Sequence, residues 1–339
     1  MRANFTWFSL LLFLLCSAGV MATPSAEDII TSMAFKQDQV AELERGKIVD
    51  VEINEATQKE LAMGLAMYLP SSPAKIATYF KTGDLALIDS DITTHASIQP
   101  NSGIDAFKGF SFTLKQSDEA RDLMAAAAGD RFNLSAEEIK GFAALKEKLA
   151  GADKAALVAD VSQHYRQILL QRWQAYLEGG LAGIASYARN GADAKPAEEL
   201  RTAAASSKLF ANFFPDLHKV WLNYPEKLPS GAEEQFFWIN RTVENRPTAI
   251  LSHRIVQTSD TVSVIIARQF FVGHSYNSSH LIVGCLPYRD GSIVFYAQRT
   301  STDQVAGLGS SLKHSIGREQ LKKQMIKNLE RLRSNIQSP

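Results

Sequence analysis

The feature that most constrains the fold is a run of five apolar segments between residues 234 and 300, separated by short turns. The segments are EQFFWINRTV, TAILSHRIVQT, TVSVIIARQFFV, SHLIVGCLPY and SIVFYAQRT. Each has the length of a strand and is rich in β-branched and aromatic residues, and Asp290-Gly291 is the strongest turn signal among them. The spacing predicts an antiparallel meander. One helix follows it, with apolar residues near a single stripe at Leu312, Ile316, Met325, Leu329, Leu332 and Ile336.

The two earlier parts of the chain differ from this meander. Residues 115–226 are rich in alanine and glutamate and carry almost no strand signal. Ser135 with Glu138 forms a capping box, and Asp153 caps a longer helix. Residues 23–114 contain a first helix and two alternating segments, Ile48 to Ile53 and Leu61 to Leu69, which predict a strand pair. Ser72 and Pro73 then begin a short helix.

These parts predict an α+β fold with an antiparallel sheet, a long C-terminal helix and a large all-helical insertion. Residues 1–22 form a signal peptide, 23–114 the first helix, strand pair and short helix, and 115–226 the insertion. Residues 227–339 form the late strands and the last helix, in one α+β domain with residues 46–114.

This order of elements resembles the START-like (helix-grip) superfamily. The resemblance is carried by Gly46 to Phe80 and Phe236 to Ile336, a little over half of the chain after the signal peptide, and by no signature motif. It implies a curved sheet around the last helix, with a cavity between them for lipids or other apolar molecules. The helical block of about 110 residues departs from the family, so the same cavity could be covered or filled. An unrelated α+β fold stays open.

Pairing of the late strands predicts a candidate site. A first turn centred on Asn277 would place Arg268 opposite Leu286, and a two-residue turn at Asp290-Gly291 would place Gly284 opposite Ala297. Both faces of the sheet are then apolar, so both must be covered. A hollow at Gly284 predicts a ligand site formed by Arg268, Phe270, Gly284, Leu286, Phe295, Ala297 and Arg299. In this hypothesis an arginine meets an anionic head group. In the alternative, the C-terminal helix fills the hollow.

Other chemical motifs are incomplete. His274 and His280 would face each other across an exposed hairpin tip, but two imidazoles do not make a zinc site, so we predict no metal. Ser275, His280 and Asp303 can be written as a triad, yet the sequence GHSYN lacks the second glycine of a nucleophile elbow. GLGSSL before the last helix lacks the third glycine of a dinucleotide loop. We therefore predict no catalytic residue and no cofactor, and interpret Gly307 and Gly309 as a flexible entry to that helix.

The first residues predict export. Arg2, the apolar run from Phe5 to Leu15 and small residues before Thr23 are typical of a secretory signal peptide, which indicates a periplasmic or secreted protein. Removal of residues 1–22 would leave Cys285 as the only cysteine, so no intramolecular disulfide could form.

The charge pattern limits the partners. The chain has 36 basic and 36 acidic residues, which offers no overall field for nucleic acid. Residues 310–339 are locally basic, which predicts either a solvated helix face or peripheral contact with an anionic membrane or an acidic partner.

The function predicted from sequence is binding of an apolar or amphipathic small molecule, with lipid as one example, between the late strands and the last helix. The alternative is a non-enzymatic interaction or envelope-structural protein without a ligand. An esterase-like hydrolase is the third hypothesis, and a non-enzymatic role is preferred to it.

Overall fold

The computed structural model describes residues 26–82, 84–258 and 262–337. The predicted signal peptide therefore lies outside the described residues. The helices are α1 (Ala26–Ser32), α2 (Gln37–Glu44), α3 (Pro73–Lys81), α4 (Ser117–Met124), α5 (Ala136–Lys148), α6 (Lys154–Gly179), α7 (Pro196–Ala205), α8 (Lys208–Phe213), α9 (Pro215–Leu222) and α10 (Ser310–Gln337). The strands are β1 (Val49–Val51), β2 (Glu60–Leu69), β3 (Ile92–Ile98), β4 (Ala232–Val243), β5 (Arg246–Thr258), β6 (Ser263–Val272), β7 (Ser278–Tyr288) and β8 (Gly291–Ser301).

The strands form one antiparallel sheet in the order β1-β2-β8-β7-β6-β5-β4-β3, and the α+β class is confirmed. The predicted meander is present as β4 to β8, and the predicted strand pair is β1 and β2. The sequence analysis missed β3. This strand lies at the sheet edge and buries only Ile98, so its sequence ITTHASI lacks the apolar alternation that marks a half-buried strand.

The predicted helix starts are confirmed by their caps. The Ser72 hydroxyl accepts from the backbone N–H of Lys75 at 3.3 Å, with Pro73 at the first helical position. Ser135 and Glu138 form the reciprocal capping box at α5. These signals succeed because a cap depends on residues within one turn of the helix.

Two different layers cover the sheet. On one face, which we call the α10 face, Met325, Leu329, Leu332 and Ile336 pack against β2, β7 and β8. On the other, the block face, helices α6 to α9 and α1 pack over the strands. Tyr176 of α6 and Trp221 of α9 are both fully buried there. The prediction that both faces are covered is confirmed.

The predicted strand pairing is wrong in register but right in face. Arg268 pairs with His280 instead of Leu286, and Gly284 pairs with Phe295 instead of Ala297. Both displacements are an even number of residues, so each paired side chain stays on its predicted face.

The register errors arise where distant parts of the chain override local turn signals. Asn277 does not form a turn tip, because its side chain donates to Glu199 and accepts from Arg189 in the helical block. Gly291 is the first residue of β8. It lies so close to the end of β2 that a Cβ there would be 2.3 Å from the carbonyl oxygen of Leu69. The tight turn is therefore Arg289-Asp290, and Arg289 takes a positive φ of 51°.

Candidate functional site

A large cavity lies on the α10 face, between the sheet and the last helix. Its volume is about 670 Å³, within the range of about 300–1,000 Å³ that is typical of ligand sites. Leu281 and Val283 of β7 form part of its floor, while Leu321 and Leu329 of α10 form part of its roof. Alternation of side chains along the strands sends these β7 residues to this face and Ile282 and Gly284 to the other.

A row of neutral polar side chains crosses the floor of this cavity. Ser252, Gln269, Ser279 and Thr300 occupy paired positions on β5, β6, β7 and β8. The hydroxyls of Ser279 and Thr300 lie 3.3 Å apart, and the amide of Gln298 donates to both. Apolar walls with a few placed hydrogen-bonding groups are typical of small-molecule sites.

The lining of the cavity includes a cation that has no acidic partner among the described residues. Arg254 of β5 donates through Nη1 to the carbonyl oxygen of Phe80 at 2.9 Å, and its guanidinium lies 5.2 Å from the ring centre of Phe237. No carboxylate of the described residues forms an ion pair with it. Desolvation lowers the pKa of Arg254 to about 10, so the side chain stays protonated at neutral pH. Arg254 is therefore the natural group to meet an anionic ligand atom.

Three other charged residues of the lining, Arg241, Asp89 and Asp91, are paired with one another. Arg241 donates through Nε to Asp89 at 2.8 Å and lies 3.5 Å from Asp91 through Nη2. Tyr276 donates its hydroxyl to Gln269 at 2.6 Å, and burial raises the pKa of Tyr276 to about 12. The phenol is neutral at physiological pH and adds a hydrogen-bonding group without adding charge.

The first turns of α10 lie at the open side of the cavity. Ile316 and Gly317 line it, whereas the buried residues of α10 begin only at Met325. Leu308 and Leu312 before and on these turns are 97% and 68% exposed. The glycines at 307 and 309 both have positive φ, as a sharp entry to the helix requires.

A second cavity of about 380 Å³ lies on the opposite, block face. It contains five of the seven predicted ligand residues: Gly284, Leu286, Phe295, Ala297 and Arg299. Its roof comes from α1 and α8, through residues such as Ile29 and Phe213. The predicted hollow therefore exists, but the prediction that these residues share a cavity with the last helix is wrong. Side-chain alternation points them away from α10, which covers the other face.

The remaining two predicted ligand residues lie outside both cavities. The Arg268 guanidinium lies 3.6 Å from the ring centre of Trp221 and donates to the carbonyl oxygen of the same residue. Phe270 is stacked on Tyr176 with ring centres 3.9 Å apart. Aromatic packing of the helical block occupies the positions that a ligand would take at these two residues.

Neither arginine of the predicted site is available to an anion. Arg268 is buried beneath Trp221. Arg299 donates through Nη1 to Glu60 at 2.7 Å, and Glu60 is only 2% exposed. Sequence reasoning missed Arg254, although its place two residues after Ser252 in an otherwise apolar strand is a signal that alternation could have used.

The two histidines of the predicted hairpin tip do not face each other, since His280 pairs with Arg268. Both are buried, so the predicted exposure is wrong. The Trp221 indole N–H donates to His280 Nε2 at 2.9 Å, and His274 Nε2 lies 2.7 Å from the Thr248 hydroxyl. Burial lowers the pKa of both imidazoles, to about 4 for His274. In the part of the chain that the structure describes, no group of three or more metal-binding side chains is found.

The residues of the hypothetical triad are not assembled. Ser275 donates to Glu244 at 2.7 Å, while Asp303 binds Lys59 and Arg189. His280 faces Trp221 instead of Ser275. The Ser275 hydroxyl instead lies between His274 Nδ1, at 2.7 Å, and Glu244, whereas nucleophilic catalysis requires the histidine to lie between the serine and the acid.

The basic last helix is held by acidic residues of the N-terminal part of the chain. Lys322 binds Asp50 at 2.7 Å, Lys327 binds Asp91 at 2.9 Å, and Arg318 lies 3.5 Å from Glu55. Much of the local positive charge is thus balanced within the protein. Among the described residues, no helix has both the length and the apolar character of a membrane span.

Comparisons with known proteins add little to this description. No protein-family model matches the chain, and no curated protein matches it. The chain is similar to the crystal structure of the di-domain ARO/CYC StfQ from the steffimycin biosynthetic pathway, at 13% identity and a TM-score of 0.24. The match covers 57% of this chain and 59% of that one, so the chain spans less than two thirds of the similar structure.

Proposed function

We propose that this protein binds an amphipathic small molecule with an anionic head group in the cavity of the α10 face. The observation that carries the proposal is Arg254, a cation without an acidic partner among the described residues, in the lining of a cavity of about 670 Å³. Arg254 is partly buried, and a charge that is partly removed from water is stabilised by a paired anion. A ligand carboxylate or similar anion supplies that pair.

The rest of the ligand follows from the cavity lining. Leu281, Val283 and Leu329 offer an apolar surface to a tail. The row of Ser252, Gln269, Ser279 and Thr300 offers hydrogen bonds to one or two neutral polar groups along that tail. A fatty-acid-like molecule with oxygen substituents fits this combination. Export through the predicted signal peptide stays a prediction.

Fluorescence titration with 11-(dansylamino)undecanoic acid and with its methyl ester tests the role of Arg254. Arg254→Gln should weaken binding of the acid about tenfold or more, which corresponds to about 1.4 kcal/mol, and should change binding of the ester far less. Charge pairing with the head group is lost only for the acid.

Arg331→Gln is the matched control. Arg331 also donates to main-chain carbonyl oxygens, those of Ala86 and Leu87, but it does not line the cavity. This variant should bind the acid as the unchanged protein does. Equal affinities of the acid for Arg254→Gln and Arg331→Gln, or no binding of either probe to the unchanged protein, would overturn the proposal.

A further inference from the structure

We infer that the cavity on the block face is a second, separate binding site, for a neutral apolar molecule. This site goes beyond the proposed function, because it shares no lining residue with the cavity that contains Arg254. The sheet itself separates the two: Val283 faces one cavity and the adjacent Gly284 faces the other.

The hollow is set by the small side chains in its floor. A Cβ built on Gly284 would meet only one atom within 4 Å, a ring carbon of Phe295 at 3.9 Å. Neither close packing nor a positive φ therefore requires a glycine at position 284. At Gly291, by contrast, close packing does. A glycine in a strand interior weakens the strand. Its presence here leaves space that the covering helices do not fill.

The walls of the site are apolar on both sides. Ile282, Leu286 and Phe295 lie on the sheet side. Ile29 of α1, Met33 just after α1, and Phe210 and Phe213 of α8 lie opposite them. Apolar cavities of this kind stay dry and bind apolar molecules, because water inside them lacks hydrogen-bonding partners.

The buried charge of the lining does not favour an anionic ligand, and Lys208, the other cation of the lining, is exposed to solvent. Arg299, the buried cation of the lining, has its charge balanced by Glu60. Its remaining hydrogen bonds are directed to the carbonyl oxygens of Asn54 and Ser206. Glu55 at the rim binds His314 and lies within reach of Arg318. A charged head group would have to compete with Glu60, whereas a neutral molecule disturbs none of these pairs. The structure thus assigns opposite preferences to the two cavities.

Binding of the neutral fluorophore N-phenyl-1-naphthylamine tests the second site. Gly284→Leu places a side chain in the hollow and should weaken binding of this fluorophore about tenfold or more. Gly284→Ala, which adds one methyl group with room to spare, should weaken it less and secures the test if the leucine variant does not fold.

The matched control fills the other cavity. Ala267 lies on β6 on the α10 face and lines the cavity that contains Arg254. Ala267→Leu should lower binding of 11-(dansylamino)undecanoic acid and leave at least one site for N-phenyl-1-naphthylamine intact. Gly284→Leu should show the reverse pattern.

The two sites can fail independently. If both Gly284 variants fold and bind N-phenyl-1-naphthylamine as the unchanged protein does, the second site is wrong, whatever the Arg254 experiment gives. If Arg254→Gln leaves binding of the acid unchanged while Gly284→Leu abolishes binding of the neutral fluorophore, the proposed function is wrong and the second site stands.

Discussion

The two faces of the sheet bury polar groups in different ways. On the α10 face the polar row consists of neutral hydroxyl and amide groups beside an open cavity. On the block face a row of four basic side chains, His253, Arg268, His280 and Arg299, crosses paired positions of β5 to β8, and all four are buried. Neutral polar groups can exchange protein partners for a ligand at little cost. The four basic side chains instead contact the helical block, as in the bonds between Tyr176 and His253 and between Trp221 and His280. The α10 face is thus adapted to binding polar atoms, and the block face to holding the helical block in place.

The largest expected effect concerns the buried ion pair of the block face. Glu60→Leu leaves Arg299 buried without a carboxylate and should lower the free energy of unfolding by about 3–5 kcal/mol. Urea unfolding followed by circular dichroism measures this loss. The double variant Glu60→Leu with Arg299→Met should recover most of the stability, since it removes both charges. A double variant as unstable as the single one would show that the unpaired charge of Arg299 is not the cause of the loss.

Acid should act on the same face through its histidines. Burial lowers the pKa of His253 to about 4 from an ordinary value near 6.5. As the pH falls, the unfolded chain takes up a proton on this histidine at a higher pH than the folded protein does. The contribution of neutral His253 to the free energy of unfolding is therefore complete above pH 6.5 and is lost as the pH falls toward 4. The loss amounts to ~3 kcal/mol. Burial also lowers the pKa of His280 well below its ordinary value, so His280 acts in the same direction.

Unfolding measured from pH 7 to pH 4 tests this sensitivity. His253→Gln keeps a hydrogen-bonding partner for the Tyr176 hydroxyl, which lies 2.8 Å from His253 Nδ1, but cannot take up a proton. The pH dependence of this variant should be shallower over the same interval. Parallel pH profiles for the variant and the unchanged protein would contradict the assignment of acid sensitivity to His253.

The smallest effect is expected for an exposed ion pair of the α10 face. Lys322 and Asp50 have side chains that are 31% and 58% exposed. Lys322→Gln should therefore lower the free energy of unfolding by about 0.2–1 kcal/mol, and less at high salt. Thermal unfolding at two salt concentrations measures it. A loss comparable with that of Glu60→Leu would remove the contrast between the faces.

The sequence predicted much of the fold because its signals were local. Ser72, Ser135 and Asp153 cap helices through residues three positions away. The meander was visible as five apolar segments of strand length. β3 was missed, since an edge strand with one buried residue carries no such pattern.

The candidate site was predicted only in part. Gly284 was correctly placed in a hollow, because an even displacement of register preserves the face of every paired residue. Arg268 was placed in the same site, yet it lies beneath Trp221, a residue of the helical block 47 positions earlier in the chain. Arg254 was not considered, because the sequence does not show which arginine lines a cavity without an acidic partner among the described residues.

The sequence by itself determined the types of element, their order and the side of the sheet to which the paired residues of the late strands point. These depend on spacing and on neighbours within a few residues. Only the tertiary structure decided which helices cover which face, which arginine meets an acid, and where space remains unfilled. Those outcomes depend on contacts such as Arg299 with Glu60 and Gly291 with Leu69, between residues more than 200 positions apart.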